Sequence, residues 1–289
     1  MNFKNILSEI EKQDPEVYER LSSRRKVLSR FGSKVAAAAL PLAVGSLFQK
    51  AYGKTTSTVV DALNFALELE YFEYNYYHMA NATGGLIPMA DAAGFATLEA
   101  QEREHILFLQ SVITTMGGVA YTPKYYDSTA LNPLYVPDAY DFTAGSIYHV
   151  FSSYSQFLML AATFEDTGVR AYHGQIPSLL SSTQVLKQVF QMATTEARHA
   201  SFVRLLRRSE LNAPEYPGPW INNNIPPAIS LQPFYNGEDN AVQSGVTITS
   251  LPDKYNPADG TVPQASATAA FDEPLTQASV TSLLSPFMK

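Results

Sequence analysis

The sequence contains no cysteine at all. A chain without thiols cannot form disulfides, bind metals through thiolates, hold an iron–sulfur cluster or use a cysteine nucleophile. Because such a chain is indifferent to redox conditions, its lack of cysteine does not indicate a cellular compartment.

Basic charge is also scarce, with 20 Lys and Arg against 27 Asp and Glu and a net charge of −7. No basic patch with interleaved aromatic residues occurs, which argues against nucleic acid as a partner. The sequence also lacks a Gly-rich phosphate loop, a nucleophile elbow and zinc-finger spacing. Hydrophobic residues make up 46% of the chain, which is ample for a packed core.

The first 53 residues differ in character from the rest, because they carry nine Lys and Arg against five Asp and Glu. The pair Arg24-Arg25 precedes a mildly apolar run at 35–48, which is too short to span a membrane as a helix. This order resembles a twin-arginine export signal, so we expect 1–53 to be a leader outside the fold. The chain would then act in the periplasm or cell envelope, with no transmembrane domain in its mature form. The alternative is an amphipathic helix that stays on a cytoplasmic protein.

Helical periodicity predicts an all-α fold with four long helices. The predicted helices cover four ranges: 55–82, 90–116, 143–174 and 182–210. About 25 residues without helical period separate the second helix from the third, whereas a short loop containing Pro177 precedes the fourth. One long crossover of this kind lets the third helix run parallel to the second, as in a ferritin-like four-helix bundle.

Residues 214–289 form an irregular extension rich in Pro and Asn. Its scattered large apolar residues are too many for a flexible linker. We therefore expect the extension to wrap the bundle or a neighbouring subunit, with a short strand within 245–251.

Two copies of one short pattern occur 94 residues apart. Glu102 and His105 form the first copy, and Glu196 and His199 form the second. Residues at i and i+3 share one face of an α-helix, so each copy presents a carboxylate and an imidazole together. One copy alone would be interpreted as an ordinary Glu–His pair on an exposed helix surface.

Each copy follows a glutamate and a tyrosine at matched distances. Glu70 lies 32 residues before the first copy and Glu165 lies 31 residues before the second. A tyrosine comes seven residues after each of them, Tyr77 and Tyr172. Positions i and i+7 lie almost on one line of a helix, so each glutamate and its tyrosine share one helix face. Because the whole arrangement occurs twice, it indicates two related half-sites rather than chance.

Four carboxylates and two imidazoles inside a four-helix bundle are a ligand set for two iron or two manganese ions. The predicted ligands come from all four helices: Glu70, Glu102, His105, Glu165, Glu196 and His199. Glu102 and Glu196 are expected to bridge the two ions. Tyr77 and Tyr172 either act at the site, through a hydrogen bond to a ligand or as an electron relay, or simply pack in the core.

Other polar residues near these motifs fit less well. The glutamates off the matching positions are interpreted as surface residues or partners of a ligand: Glu68, Glu73 and Glu104. Asp166 either orients a ligand histidine or lies on the surface. The remaining histidines are interpreted as packing or surface residues: His78, His149 and His173.

The six spaced ligands resemble those of the ferritin-like superfamily of di-metal carboxylate proteins. Within it, the segment 62–71 (ALNFALELEY) is similar to the bacterial and plant group that includes desiccation-related proteins. The resemblance covers about 55–210 and implies a di-iron or di-manganese centre. Family members include ferroxidases, rubrerythrins, manganese catalases and oxygenases. The missing cysteines depart from rubrerythrin, and the extension is unlike the end of a storage ferritin.

The leading hypothesis is an exported di-metal oxidoreductase that acts on Fe(II) with O2 or on hydrogen peroxide. A homodimer is the oligomeric state considered for it. The first alternative is a non-catalytic, stress-related structural protein that keeps the bundle for stability. A second alternative is a binding protein in which the crossover and extension form the binding surface and the metal site is vestigial.

Overall fold

A computed structural model of the chain describes residues 45–211, 218–254 and 260–289. The chain divides into two units, Met1–Lys54 and Thr55–Lys289, and the bundle belongs to the second. The predicted twin-arginine pair lies outside the described residues, so export stays a prediction. In the part of the chain that is described, no helix is both long and apolar enough to cross a membrane.

The second unit is a helical bundle followed by an irregular extension, which confirms the predicted fold class. The long helices of the chain follow one another in this order: α1 Gly45–Ala82, which begins before the boundary between the units, α2 Met89–Thr115, α3 Tyr154–Leu179 and α4 Thr183–Leu211. The second helix stops as predicted, because Gly117 takes a left-handed φ of 78° just beyond its end.

Two predicted boundaries of the third helix are wrong. The helix begins at Tyr154 and not at 143, because the stretch 144–146 takes positive φ angles that no α-helix allows. Ser153 then caps the helix by accepting a hydrogen bond from the backbone N–H of Gln156. Pro177 lies inside the helix and not in a loop, two residues before its end at Leu179. A proline that close to the end disturbs only the last turn.

The crossover between α2 and α3 is held against α1 by two asparagines. Asn64 donates to the carbonyl of Val119 and accepts from the N–H of Tyr121. Asn75, which is buried, donates to the carbonyl of Leu134 at 3.0 Å and accepts from the N–H of the residue at 136 at 2.6 Å. These side chains satisfy backbone groups that a long loop would otherwise bury without partners.

Over 218–254 and 260–289, the extension forms short elements, given in chain order: α5 Gln232–Tyr235, β1 Val242–Gln243, β2 Val246–Thr247, α6 Gln264–Thr268 and α7 Gln277–Leu284. The two strands pair as an antiparallel hairpin. At its end the extension bonds to the crossover, where Asp141 N–H donates to Phe287 and Lys289 N–H donates to Ala139. The last residues of the chain are therefore packed on the bundle.

The bundle core consists of two apolar clusters. One contains Leu98 of α2 and the other contains Ile106, so the stretch between them on that helix is flanked by apolar residues on both sides. The same holds on α4, where Ala193 and Val203 belong to different clusters. The predicted ligands of α2 and α4 fall within these two stretches, between the apolar layers.

Candidate metal centre

The structure brings all six predicted ligands together inside the bundle. They fall into two groups, and the donor atoms in each group lie within 4.8 Å of one another. The first group takes one terminal carboxylate from α1 and the second takes one from α3: Glu70, Glu102, His105 and Glu196, then Glu102, Glu165, Glu196 and His199. Both groups share Glu102 and Glu196, the two glutamates that were predicted to bridge.

The first group is arranged around one imidazole nitrogen. His105 Nδ1 lies 3.0 Å from Glu70 Oε2, 3.2 Å from Glu196 Oε1 and 3.4 Å from Glu102 Oε2. Oxygens from three helices thus converge on a nitrogen of α2. This arrangement leaves one shared position that a cation can occupy.

The second group repeats this geometry around His199. Its Nδ1 lies 2.8 Å from Glu102 Oε1, 3.4 Å from Glu165 Oε2 and 3.6 Å from Glu196 Oε2. Each shared glutamate therefore directs one oxygen to His105 and the other to His199. A carboxylate that divides its oxygens in this way is suited to bridge two adjacent ions.

The two tyrosines connect the half-sites crosswise. Tyr77 of α1 donates to Glu165 Oε1 of α3 at 2.5 Å, and Tyr172 of α3 donates to Glu70 of α1. Burial, with the neighbouring carboxylates, raises the pKa of both phenols well above its usual value, so both stay protonated donors. Of the two roles considered for them, they adopt the one that fixes a terminal carboxylate.

The centre is buried, and several of its polar atoms make no hydrogen bond to any described residue. All four carboxylates are fully buried, and the side chain of His199 is 3% exposed. Although the atoms lie close together, no contact of hydrogen-bonding geometry forms among the described residues to six of them: both oxygens of Glu102, both oxygens of Glu196, Glu165 Oε2 and His199 Nδ1. Buried polar atoms without partners are costly. Metal ions bound at this point would satisfy them, so the residues present fit a metal centre.

The electrostatics of the cluster agree with that interpretation. Burial raises the pKa of Glu165 to about 7, and burial with repulsion from Glu196 raises the pKa of Glu102 well above its usual value. Burial also acts to raise the pKa of Glu196, but the two imidazoles lower it to about 2. Burial acts to lower the pKa of both histidines, and the carboxylates nevertheless raise it strongly. The cluster thus attracts positive charge.

Gln101 is a site residue that the spacing did not reveal. Its Oε1 lies 2.6 Å from His199 Nε2, on the side of the ring away from the carboxylates. An imidazole that donates its Nε2–H to an amide oxygen keeps the Nδ1 lone pair for a metal. The residue at the matching position of the second copy is Thr195, so the repeat gave no signal for this contact.

Asp166 does not orient a ligand histidine and does not lie on the surface. It is buried, pairs with Arg204 and accepts a hydrogen bond from Tyr235 at 2.7 Å. Its place on α3, one residue after Glu165, turns it by about 100° from the centre toward the extension.

Of the two interpretations of Glu73, the surface one is wrong, because the residue is 3% exposed and its Oε1 lies beside the same point of α3 as Glu196 Oε2. Glu104 is exposed and pairs with Arg103, as expected for a surface residue. His78 is partly buried and lies 2.6 Å from a carboxylate oxygen of Glu99. Glu68 and His173 are partly buried, and His149 is exposed.

Comparison with known protein families supports the fold and the class. Residues 58–209 match the family model described as the ferritin-like domain, which is more than half of the chain. The chain therefore belongs to the ferritin-like domain family. The comparison with curated proteins gave no match.

Proposed function

We propose that the chain holds two iron or two manganese ions in this centre and performs redox chemistry on Fe(II) with O2 or on hydrogen peroxide. One observation carries the proposal. Glu102 and Glu196 each divide their two oxygens between His105 and His199, which defines two adjacent cation positions with shared carboxylates.

Each position has its own terminal ligands. Glu70 and His105 would hold one ion, and Glu165 and His199 would hold the other. The crosswise tyrosine hydrogen bonds orient the terminal carboxylates, and apolar layers flank the site on both sides. Two such ions, when bound, would supply electrons to O2 or hydrogen peroxide and would take electrons from Fe(II) or from a second peroxide, which is the chemistry that the ferritin-like class implies.

The exposure of the centre suits a small substrate. His105 is the most exposed of the six residues, with 13% of its side chain accessible, and the others are buried. This small exposure favours O2, hydrogen peroxide or an iron ion over a large organic molecule as the substrate. The proposed substrates are therefore small enough to reach the site without a large rearrangement of the chain.

The test is to replace Glu102 or Glu196 by Ala and measure metal per chain by elemental analysis. Each change removes a ligand from both positions, so we expect metal loading to be abolished. Glu104→Ala is the matched control, because this exposed carboxylate lies two residues from Glu102 on the same helix. Two ions per chain in Glu102→Ala or Glu196→Ala would contradict the site.

Turnover is measured on the loaded wild-type chain with Fe(II) and O2 and, separately, with hydrogen peroxide. Consumption of either, absent from Glu102→Ala, is the result we expect. A loaded chain that turns over neither would favour the non-catalytic alternative, in which the metal only stabilises the bundle.

A further inference from the structure

The two half-sites are not equivalent, because Glu73 has no counterpart in the repeat. It lies three residues after Glu70 on α1, on the same helix face. The matching position on α3, three residues after Glu165, is Gly168. One half-site therefore contributes an additional carboxylate where the other contributes no side chain.

Gly168 makes the room that the Glu73 carboxylate occupies. A Cβ on this glycine would lie 2.9 Å from Glu73 Oε1, which is closer than real side chains approach, and 3.8 Å from Glu196 Oε2. Both carboxylate oxygens thus lie around the same point beside α3. Glu196 Oε2 is the oxygen directed to His199, so Glu73 lies on the side of the second cation position, outside the four donors that converge there.

The Glu73 carboxylate is buried among other carboxylates, and one of its oxygens makes no hydrogen bond to any described residue. Within the described part of the chain, its Oε2 has no hydrogen-bond partner, and the side chain is only 3% exposed. Burial, followed by repulsion from Glu196, Glu165 and the other centre carboxylates, raises its pKa well above the usual value. A buried acid in this situation needs either a proton or a cation.

Because this inference rests on the proposed function, it concerns the ions themselves. We propose that Glu73 is a fifth carboxylate of the metal centre, which acts on the ion held by His199 and makes that position the tighter of the two. Four ligand carboxylates already balance the charge of two divalent ions beside neutral imidazoles. The fifth adds negative charge at one position only, so the two ions bind with different affinities.

The experiment is a calorimetric titration of the metal-free full chain with Mn(II). We expect two ions per chain in the wild type and in Glu73→Gln, with one affinity weakened by roughly 10- to 100-fold in the variant and the other unchanged. Glu104→Gln, the exposed neighbour, should leave both affinities as they are.

Gly168→Ala tests the same contact from the other helix. Its new Cβ displaces the Glu73 carboxylate, so we expect it to weaken the same affinity. Combined with Glu73→Ala, the alanine at 168 should cause no further loss, because nothing remains for it to displace.

Wild-type affinities for both ions in Glu73→Gln would overturn this inference and leave the proposed function standing. A wild-type chain that binds no Mn(II) would remove both. Failure of Glu73→Gln to fold without metal, followed by circular dichroism, would also overturn it. Removing a carboxylate that repels its neighbours should leave the metal-free fold at least as stable.

Discussion

Two buried polar clusters contact α3 on different faces, and they handle charge in opposite ways. The metal centre uses Glu165 and Tyr172 of this helix. The second cluster, here called the extension anchor, consists of buried groups from α3, α4 and the extension: Asp166, Arg170, Arg204, Tyr235 and Glu238. Both are among the most deeply buried parts of the chain.

The extension anchor supplies its own counter-charges. Arg170 lies 2.6 Å from Glu238 and donates to the carbonyls of Phe234 at 2.5 Å, Asn236 at 2.9 Å and Glu273 at 2.7 Å. A few residues later the extension is so close to α3 that a Cβ on Gly174 would meet the carbonyl of Leu275. The anchor is thus a charge-balanced network, with two carboxylates and two guanidinium groups, that holds the extension on the bundle.

The metal centre has no such balance of charge, since five buried carboxylates face only two imidazoles. A buried charge is tolerated when the chain provides its partner, as in the anchor, or when a ligand provides it. The comparison favours a surplus of buried charge of one sign, and not burial of charge alone, as the feature that points to a candidate ligand site.

Breaking the anchor should have the largest effect on stability. Arg170→Met leaves Glu238 buried without its cation, so we expect a loss of about 3–5 kcal/mol in the free energy of unfolding. Denaturant unfolding of the metal-free chain measures this. Arg170→Met combined with Glu238→Gln should recover part of the loss, because it removes both charges while the three carbonyls still lack their donor. A double variant as unstable as the single one would show that the pairing is not what matters.

Gln101→Leu should have a smaller effect, and on the other cluster. Without its acceptor, His199 is no longer fixed with Nδ1 free for metal, so we expect a roughly 10- to 100-fold loss of metal affinity with little change in metal-free stability. Titration with Mn(II) measures it, and Gln101→Glu, which keeps an acceptor oxygen, is the control. Equal affinities in Gln101→Leu and the wild type would refute the positioning role.

The smallest effect should be a pH dependence that differs with metal. The pKa of Glu165 is raised to about 7 in the folded chain. Its contribution to the free energy of unfolding is therefore complete below the ordinary pKa near 4.5 and is lost as pH rises through about 7. The raised pKa of Glu102 acts in the same direction.

From roughly pH 5 to roughly pH 8, the metal-free chain should therefore lose on the order of 1 kcal/mol or more, a fall of a few degrees in Tm. The loaded chain should not follow it, because ligands bind metal in their deprotonated form. Thermal unfolding of both forms checks this. Glu238, whose pKa is also raised to about 7, contributes equally to both forms and cancels in the difference. Parallel curves would contradict the account.

Periodicity and spacing sufficed to predict the helical bundle and the six residues that meet in it. Both are repetitive features, and the matched offsets of Glu70 and Glu165 from their partner motifs made the site visible. The misplaced start of α3 has a local cause, because three consecutive positive φ angles at 144–146 are a conformational choice that composition does not show.

What breaks the repeat could not be predicted from it. Glu73 and Gln101 have no matching residue in the other half, so they looked like surface residues or were overlooked. Asp166 was misjudged because its partners, Arg204 and Tyr235, are 38 and 69 residues away along the chain. Only the folded chain brings such residues together.

The most direct test of the central claim is the metal content of the purified wild-type chain, measured by elemental analysis before and after reconstitution with Fe(II) or Mn(II). The account predicts two ions per chain. No metal as purified, and none taken up on reconstitution, would contradict it and would mean that the surplus of buried carboxylates is neutralised by protons alone.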